Sequence, residues 1–205
     1  FVAGADIREF GKPPMPPALP DVFNVIEDSA IPVVAVMHGT ALGGGFELGL
    51  SCHARVGIEG LKIGLPEINL GLLPGAGGTQ RVPRLAGIPM ALDMALSGRQ
   101  VAAKEALEKG LIDRLVVGDP REVALKAAQD VVAGALVTRR TCDLVTPKDD
   151  KALNDTAEML KKTQAHMFSC HKIVEAVRAS YLPRSEGLKI ERQAFMDSMQ
   201  TPQRA

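Results

Sequence analysis

Residues 31–50 have the sequence IPVVAVMHGTALGGGFELGL, in which an apolar run, a glycine triplet and a second apolar segment follow one another. The apolar run at 31–37 is rich in Val, and such a run predicts a strand buried on both faces. The glycine triplet at 43–45 then opens a segment at 46–53 that we predict to be a helix. A buried strand followed by a helix indicates an α/β fold.

Strands and helices remain mixed up to residue 118, after which only helices are predicted. The other predicted strands lie at 55–58, 61–63 and 111–117. The other predicted helices before residue 118 lie at 21–29, 79–85, 89–97 and 102–109. The helices beyond it are predicted at 123–136, 149–169, 171–180 and 185–199, with Leu188, Phe195 and Met199 on one face of the last. We therefore predict an α/β core at 1–118 and a helical region at 119–205.

The N-terminal segment carries two further signals. Residues 12–17, KPPMPP, are rich in proline, which excludes a regular helix or a central strand and predicts a surface loop or a lid near a site. The chain opens at Phe1 without Met and has no charged and apolar regions of a signal peptide. We interpret the chain as a piece of a longer protein.

Composition and charge exclude several function classes. The 24 Lys and Arg residues balance the 24 Asp and Glu residues, which argues against a dominant nucleic-acid or anionic-membrane surface. No apolar run approaches the roughly 20 residues that span a bilayer. The cysteines, Cys52, Cys142 and Cys170, are far apart and form no C-x-x-C pair, so neither a disulfide framework nor a zinc site is predicted.

Glycine-rich stretches at 3–6, 43–45 and 75–78 are the first candidates for a functional site. None of them has the spacing of a phosphate-binding loop or of a dinucleotide fingerprint. One interpretation is that Gly44, at the start of a helix, offers a free backbone N–H to a developing negative charge. The other is that the glycines allow a helix and a strand to pack closely.

Glu47 and Glu67 are acidic residues in apolar surroundings. A buried carboxyl group has a raised pKa, and two that lie close together push their pKa values apart. Such a pair can act as acid and base near neutral pH. Glu47 could instead be an acid favoured by a helix N-terminus, and Glu67 an exposed loop residue. His38 and His53 are interpreted as structural residues.

Several segments, taken together and in order, resemble the crotonase (enoyl-CoA hydratase/isomerase) superfamily. They are FVAGADI at 1–7, IPVVAV at 31–36, ALGGGFEL at 41–48, GLPE at 64–67, GAGGTQ at 75–80, SGR at 97–99 and GLID at 110–113. The resemblance implies a crotonase-like spiral of ββα units followed by a helical C-terminal region. The family has further strands before its A-G-A-D segment, and this chain lacks them.

The resemblance also implies which residues form the site. It places the two N–H donors of an oxyanion hole at Ala5 and Gly44, and the two catalytic glutamates at Glu47 and Glu67. It places no metal there and no cofactor, because coenzyme A is part of the substrate.

The substrate-binding positions follow from the same resemblance. Coenzyme A would run along the backbone at Ala3 and Ile7, and Gly75 would border the pocket for water and the acyl chain.

The helical region sharpens the resemblance. HKIVEAV at 171–177 and the segment at 186–195 are similar to multifunctional β-oxidation enzymes, in which a hydratase/isomerase part precedes a 3-hydroxyacyl-CoA dehydrogenase part. The implied function is hydration of fatty 2-trans-enoyl-CoA thioesters, with Δ3-Δ2 isomerisation by the same site. The alternatives are another acyl-CoA reaction of the family or a non-catalytic acyl-CoA-binding module.

The resemblance implies a peroxisomal location, with the bacterial cytoplasm as the alternative. The implied partners are the enoyl-CoA thioesters and a fused dehydrogenase domain, with neither nucleic acid nor a membrane. Whether the chain forms a homo-oligomer is left open.

Overall fold

The computed structural model describes residues 1–4, 6 and 16–204, and within them the chain forms eight α-helices and six short strands. The strands are β1 (Val34–Met37), β2 (Thr40–Leu42), β3 (Ala54–Ile58), β4 (Lys62–Gly64), β5 (Gln100–Ala102) and β6 (Arg114–Val116). The helices are α1 (Leu19–Glu27), α2 (Gly44–Ser51), α3 (Gly78–Ser97), α4 (Ala103–Glu108), α5 (Pro120–Val132), α6 (Asp150–Thr163), α7 (Phe168–Arg178) and α8 (Arg184–Met199).

The strands form two small sheets, and the chain passes from the first sheet to the second twice. The first sheet has the order β1-β3-β6 with all strands parallel. In the second, β4 pairs in parallel with β2 and antiparallel with β5. A strand of the first sheet, a strand of the second and a helix follow one another as β1-β2-α2, and again as β3-β4-α3. This arrangement confirms the predicted α/β class and its ββα units.

The two faces of β1 meet different parts of the core. Ala35 and Met37 are buried in the main hydrophobic cluster, whereas Val34 and Val36 are half-buried against a smaller cluster that includes residues of α5. The strand begins at Val34, later than predicted, because Ile31 is exposed and Pro32 has no N–H to donate to a neighbouring strand. The strand whose residues are all buried is β3.

Some predicted helices have different limits in the structure. The helix predicted at 149–169 ends at Thr163, because Gln164 leaves the helical conformation, and α7 begins at Phe168. Helix α5 begins three residues before the predicted start, where the Asp119 side chain accepts N–H groups from Arg121 and Glu122. The two helices predicted at 79–85 and 89–97 both lie within α3, which is interrupted between them at Gly87, where the φ of +82° is not helical.

Helices of the C-terminal region pack on the same core as the strands. Buried residues of α6 and α7, such as Leu160 and Ile173, belong to the same hydrophobic cluster as Phe46 of α2 and Ile63 of β4. The division into a core at 1–118 and a helical region at 119–205 stays a prediction. Within the described part of the chain, no helix has the length and apolar character needed to cross a membrane.

The proline-rich loop predicted at 12–17 lies outside the described residues except for Pro16 and Pro17, both of which are exposed. Next along the chain, α1 ends with a buried charge. Glu27 accepts hydrogen bonds from Arg81 Nε at 3.2 Å and Arg81 Nη2 at 2.8 Å, and both residues are fully buried. Burial alone would raise the pKa of Glu27, but the Arg81 charge lowers it below its usual value.

We expect Glu27→Leu to lower the free energy of unfolding by about 3 kcal/mol or more, because it leaves the Arg81 guanidinium buried without a countercharge. The double variant Glu27→Leu/Arg81→Met should recover most of that loss, because it removes both charges. Urea denaturation measures both, and Asp155→Ala in the exposed Lys151–Asp155 pair is the control that should change stability little. Equal losses in the single and double variants would contradict the prediction.

Candidate active site

Helix α2 carries Glu47 in its first turn, with only 2% of the residue exposed. Its Oε1 accepts N–H groups from Ala76 and Gly78, each at 2.8 Å. Both donors come from the turn that begins α3, so the carboxylate of one helix caps the N-terminus of another. Burial raises the pKa of Glu47, and the two N–H donors partly offset this rise.

Glu67 lies in a short 3₁₀ helix, Pro66–Leu70, directly after β4. Its Oε1 lies close to Gly43, where a Cβ would be only 3.0 Å away. Its Oε2 is buried and has no hydrogen-bond partner. Burial raises the pKa of Glu67 well above its usual value, and the nearby charge of Glu47 raises it further. The alternative that Glu67 is an exposed loop residue, which the sequence left open, is therefore excluded.

The close packing suggested for the glycine triplet is found at Gly45, and the N–H role suggested for Gly44 stays a prediction. Gly43 has a φ of +53°, a conformation that side chains disfavour, and it turns the chain into α2. Gly45 allows close packing, because a Cβ there would lie 1.9 Å from the Val2 carbonyl oxygen. Gly44 is the first residue of α2, where a backbone N–H has no acceptor within the helix.

Only one of the two residues predicted to form the oxyanion hole lies within the described part of the chain. Ala5 lies outside the described residues, whereas Gly44 is at the N-terminus of α2. The segment that leads to Ala5 runs beside the same turn, since the Leu42 N–H donates to the Val2 carbonyl at 3.2 Å. The fold thus brings the start of the chain to Gly44, and the role of the two N–H groups stays a prediction.

The predicted substrate-binding residues have different surroundings. Ala3 is exposed, and Ile7 lies outside the described residues. Gly75 is next to Ala76, and a Cβ on it would lie 2.6 Å from the Phe195 ring of α8. The Arg192 guanidinium also lies over the Phe195 ring, 5.3 Å from its centre.

A third buried carboxylate was not predicted from the sequence. Glu191 of α8 is 1% exposed and accepts the Gly77 N–H at 2.5 Å, the Thr79 N–H at 2.9 Å and the Thr79 hydroxyl at 2.5 Å. Burial, together with the charge of Glu47, raises the pKa of Glu191 to about 8.

Glu191 was missed because the predicted apolar face of α8, with Leu188, Phe195 and Met199, is not the most buried face of this helix. Leu188, Phe195 and Met199 are only half-buried. The buried face consists instead of small or polar residues, Gly187, Glu191, Ala194 and Ser198. Their spacing of three or four residues is the signal that could have identified the face.

Of the two histidines interpreted as structural, only His53 fits that interpretation. His53 is buried, and its Nδ1 accepts the Val33 N–H at 3.0 Å, whereas His38 is exposed. Among the residues that the structure describes, no group of three or more His, Cys, Asp and Glu side chains could hold a metal ion.

We expect Glu67→Gln to gain stability relative to the wild type as the pH rises. A carboxyl group whose pKa is raised by folding stabilises the folded state below its unfolded pKa of about 4.5, and this stabilisation is lost as the pH rises towards the folded value. Gln does not titrate, so the difference in free energy of unfolding between variant and wild type should grow from pH 5 to pH 8. Urea denaturation at both values measures it, and a constant difference would contradict the raised pKa. The exposed Glu186→Gln is the matched control.

Known proteins with similar sequences and structures identify the family of this chain. Residues 1–184 match the family model described as Enoyl-CoA hydratase/isomerase. The chain is 46% identical to the peroxisomal bifunctional enzyme of Danio rerio over 93% of its own length and 27% of that protein. It is 42% identical to the fatty acid oxidation complex subunit alpha of Shewanella amazonensis over 90% of its length and 28% of that protein.

A crystal structure of enoyl-CoA hydratase from Bacillus anthracis covers 98% of this chain, with 28% identity and a TM-score of 0.58, and the chain covers 69% of it. The chain thus spans less than a third of the curated relatives and about two thirds of this solved structure. The family match extends over most of the chain and contains Glu47 and Glu67. The chain therefore belongs to the enoyl-CoA hydratase/isomerase family.

Proposed function

We propose that this chain carries the active site of an enoyl-CoA hydratase, which adds water across the 2-trans double bond of fatty acyl-CoA thioesters. The observation that carries the proposal is the pair Glu47 and Glu67. Glu47 is buried, Glu67 has one buried oxygen, and the charge of the first raises the pKa of the second. The names of the relatives, which include an enoyl-CoA hydratase and a fatty acid oxidation subunit, support this substrate class.

The surroundings of the two glutamates favour different roles. Glu47 has two N–H donors on Oε1, which stabilise its ionised form. It acts as the base that takes a proton from water while the water oxygen bonds to C3 of the thioester. Burial and the charge of Glu47 raise the pKa of Glu67, and its Oε2 has no donor, so its surroundings favour the form that carries a proton. It donates that proton to C2, and exchange with solvent then returns both groups to their starting states.

The negative charge formed during this addition lies on the thioester oxygen. The N–H of Gly44 at the N-terminus of α2, together with that of Ala5, would bind this oxygen and stabilise the enolate. Coenzyme A would lie along Ala3 and Ile7, with the reacting carbons near Gly75. No metal or separate cofactor is required, because backbone dipoles stabilise the enolate.

The same site supports isomerisation of a double bond from position 3 to position 2. Glu67 would take a proton from C2 and return it to C4, while the oxyanion donors hold the dienolate between the two steps. This reaction needs one acid–base group, and hydration needs both.

We also propose a further domain, a location and the partners of the whole protein. The curated relatives are more than three times as long as the part that this chain matches, and one of them is named a bifunctional enzyme. A 3-hydroxyacyl-CoA dehydrogenase domain in the same protein would oxidise the hydration product. The relatives named peroxisomal favour the peroxisome, and the Shewanella relative favours the bacterial cytoplasm as the alternative. Neither nucleic acid nor a membrane is a proposed partner, and a homo-oligomer stays an open alternative.

Loss of the conjugated double bond of crotonyl-CoA is the direct test, measured by absorbance in the protein of full natural length. We expect Glu47→Gln and Glu67→Gln each to lower kcat by about 10²- to 10⁴-fold, because each removes one proton-transfer group. The exposed Glu186→Gln should retain wild-type rates. Turnover that survives both substitutions would sink the acid–base assignment, and binding of thioesters without any turnover by the wild type would favour the acyl-CoA-binding alternative.

Hydration should show a bell-shaped pH dependence of kcat/KM. The rate needs Glu47 ionised and Glu67 protonated, so it falls at low pH as Glu47 takes up a proton and at high pH as Glu67 loses one. In Glu67→Gln the residual rate should lose its alkaline decrease. An alkaline decrease that is unchanged in this variant would show that another group is responsible.

A further inference from the structure

Four consecutive backbone N–H groups at the start of α3 are divided between two buried carboxylates. The N–H groups of Ala76 and Gly78 donate to Glu47, and those of Gly77 and Thr79 donate to Glu191. The two glutamates belong to different helices, α2 and α8, and they approach this turn from different sides. The turn therefore links the C-terminal helix α8 directly to the proposed catalytic base.

The turn cannot provide these acceptors itself. The residue before α3 is Gly77, which has no side chain to cap the helix, and residues 75–78 are only glycine and alanine. The unpaired N–H groups of the first helical turn must therefore be satisfied by side chains from elsewhere in the chain. Glu191 of α8 supplies acceptors for two of these N–H groups, and it also accepts a hydrogen bond from the hydroxyl of Thr79.

The opposite edge of the turn is held by Arg81. Its Nη1 donates to the Ala76 carbonyl at 2.9 Å, while its Nε and Nη2 are bound to Glu27. Arg81 thus fixes a carbonyl and Glu191 fixes two N–H groups of the same short segment. Between these two contacts, the N–H groups of Ala76 and Gly78 are aimed at Glu47.

The contacts of Glu191 differ from those of a group that transfers protons to a substrate. Its Oε1 is on the Gly77 N–H, and its Oε2 is on the N–H and hydroxyl of Thr79. Glu67, in contrast, has a buried Oε2 without a partner. Both oxygens of Glu191 are committed to the turn, which indicates a supporting role.

We propose that Glu191 is a positioning residue of this active site: it holds residues 77–79 so that the neighbouring N–H groups of Ala76 and Gly78 remain on the Glu47 carboxylate. The role rests on the hydratase function proposed above. A displacement of a catalytic group by about 1 Å can cost roughly 10²-fold in rate. Glu191 therefore contributes to kcat without touching the thioester.

The test is crotonyl-CoA hydration by Glu191→Gln in the protein of full natural length, with Glu186→Gln on the exposed surface of the same helix as the control. Either oxygen of the Glu191 carboxyl group can accept an N–H, whereas the NH₂ of Gln cannot. One donor of the turn therefore loses its acceptor in Glu191→Gln, and we expect kcat to fall by about 10- to 100-fold. KM and the affinity for butyryl-CoA, the saturated analogue, should stay within about twofold of wild type. The unfolding midpoint shows whether the variant is folded.

Three results would overturn the role. A folded Glu191→Gln with wild-type kcat would do so, as would a fall in kcat matched by an equal loss of butyryl-CoA binding, which would assign a general structural role. If the wild type binds thioesters but hydrates none, the proposed function fails and this role fails with it. If the wild type is active and Glu191→Gln is equally active, only this role fails.

Thr79 provides a second test in case Glu191→Gln does not fold. Thr79→Val removes the hydroxyl that binds Glu191 and keeps the shape of the side chain, whereas Thr79→Ser keeps the hydroxyl. We expect kcat to fall by about threefold to tenfold in Thr79→Val, with KM unchanged, and to remain near wild type in Thr79→Ser. Equal kcat values for the two Thr79 variants would overturn the proposal.

Discussion

The structure depends on the shared N-terminus of α3, where the N–H groups of residues 76–79 bind two carboxylates that have almost no contact with water. Burying Glu47 and Glu191 is costly, and the cost is reduced only where hydrogen-bond donors and a helix dipole replace the lost solvent. These donors fix the position of α3 relative to α2 and α8. The need to satisfy two buried carboxyl groups thus determines how three helices meet.

Small residues make this meeting possible. The chain has 20 glycines and no Trp, and its backbone segments approach each other closely around the site. At Gly45 the helix rests almost directly on the Val2 carbonyl, and at Gly75 the turn rests on the Phe195 ring. A site built from backbone N–H groups needs such contacts, because side chains at these positions would separate the segments.

The sequence predicts the parts of this site that are local in the chain. The apolar run of β1, the glycine triplet and Glu47 lie within one stretch, and the structure brings Glu67 to the same place. Strands β2 and β5, each three residues long, were not predicted. Glu191 was missed because its partner Gly77 is 114 residues away, and because a helix with a small and polar buried face resembles a solvated one.

Glu47 and Glu67 show why residue type alone could not assign their roles. They are the same type of residue, each has a buried carboxyl oxygen, and they differ in what their oxygens contact. Two N–H groups favour the charged form of Glu47, and the unpartnered oxygen of Glu67 favours the neutral form. Because the charge on Glu47 further opposes ionisation of Glu67, each group reinforces the state of the other. In the proposed mechanism, the turn at 76–79 therefore determines which glutamate is the base and which is the acid, because it supplies donors to Glu47 and none to Glu67.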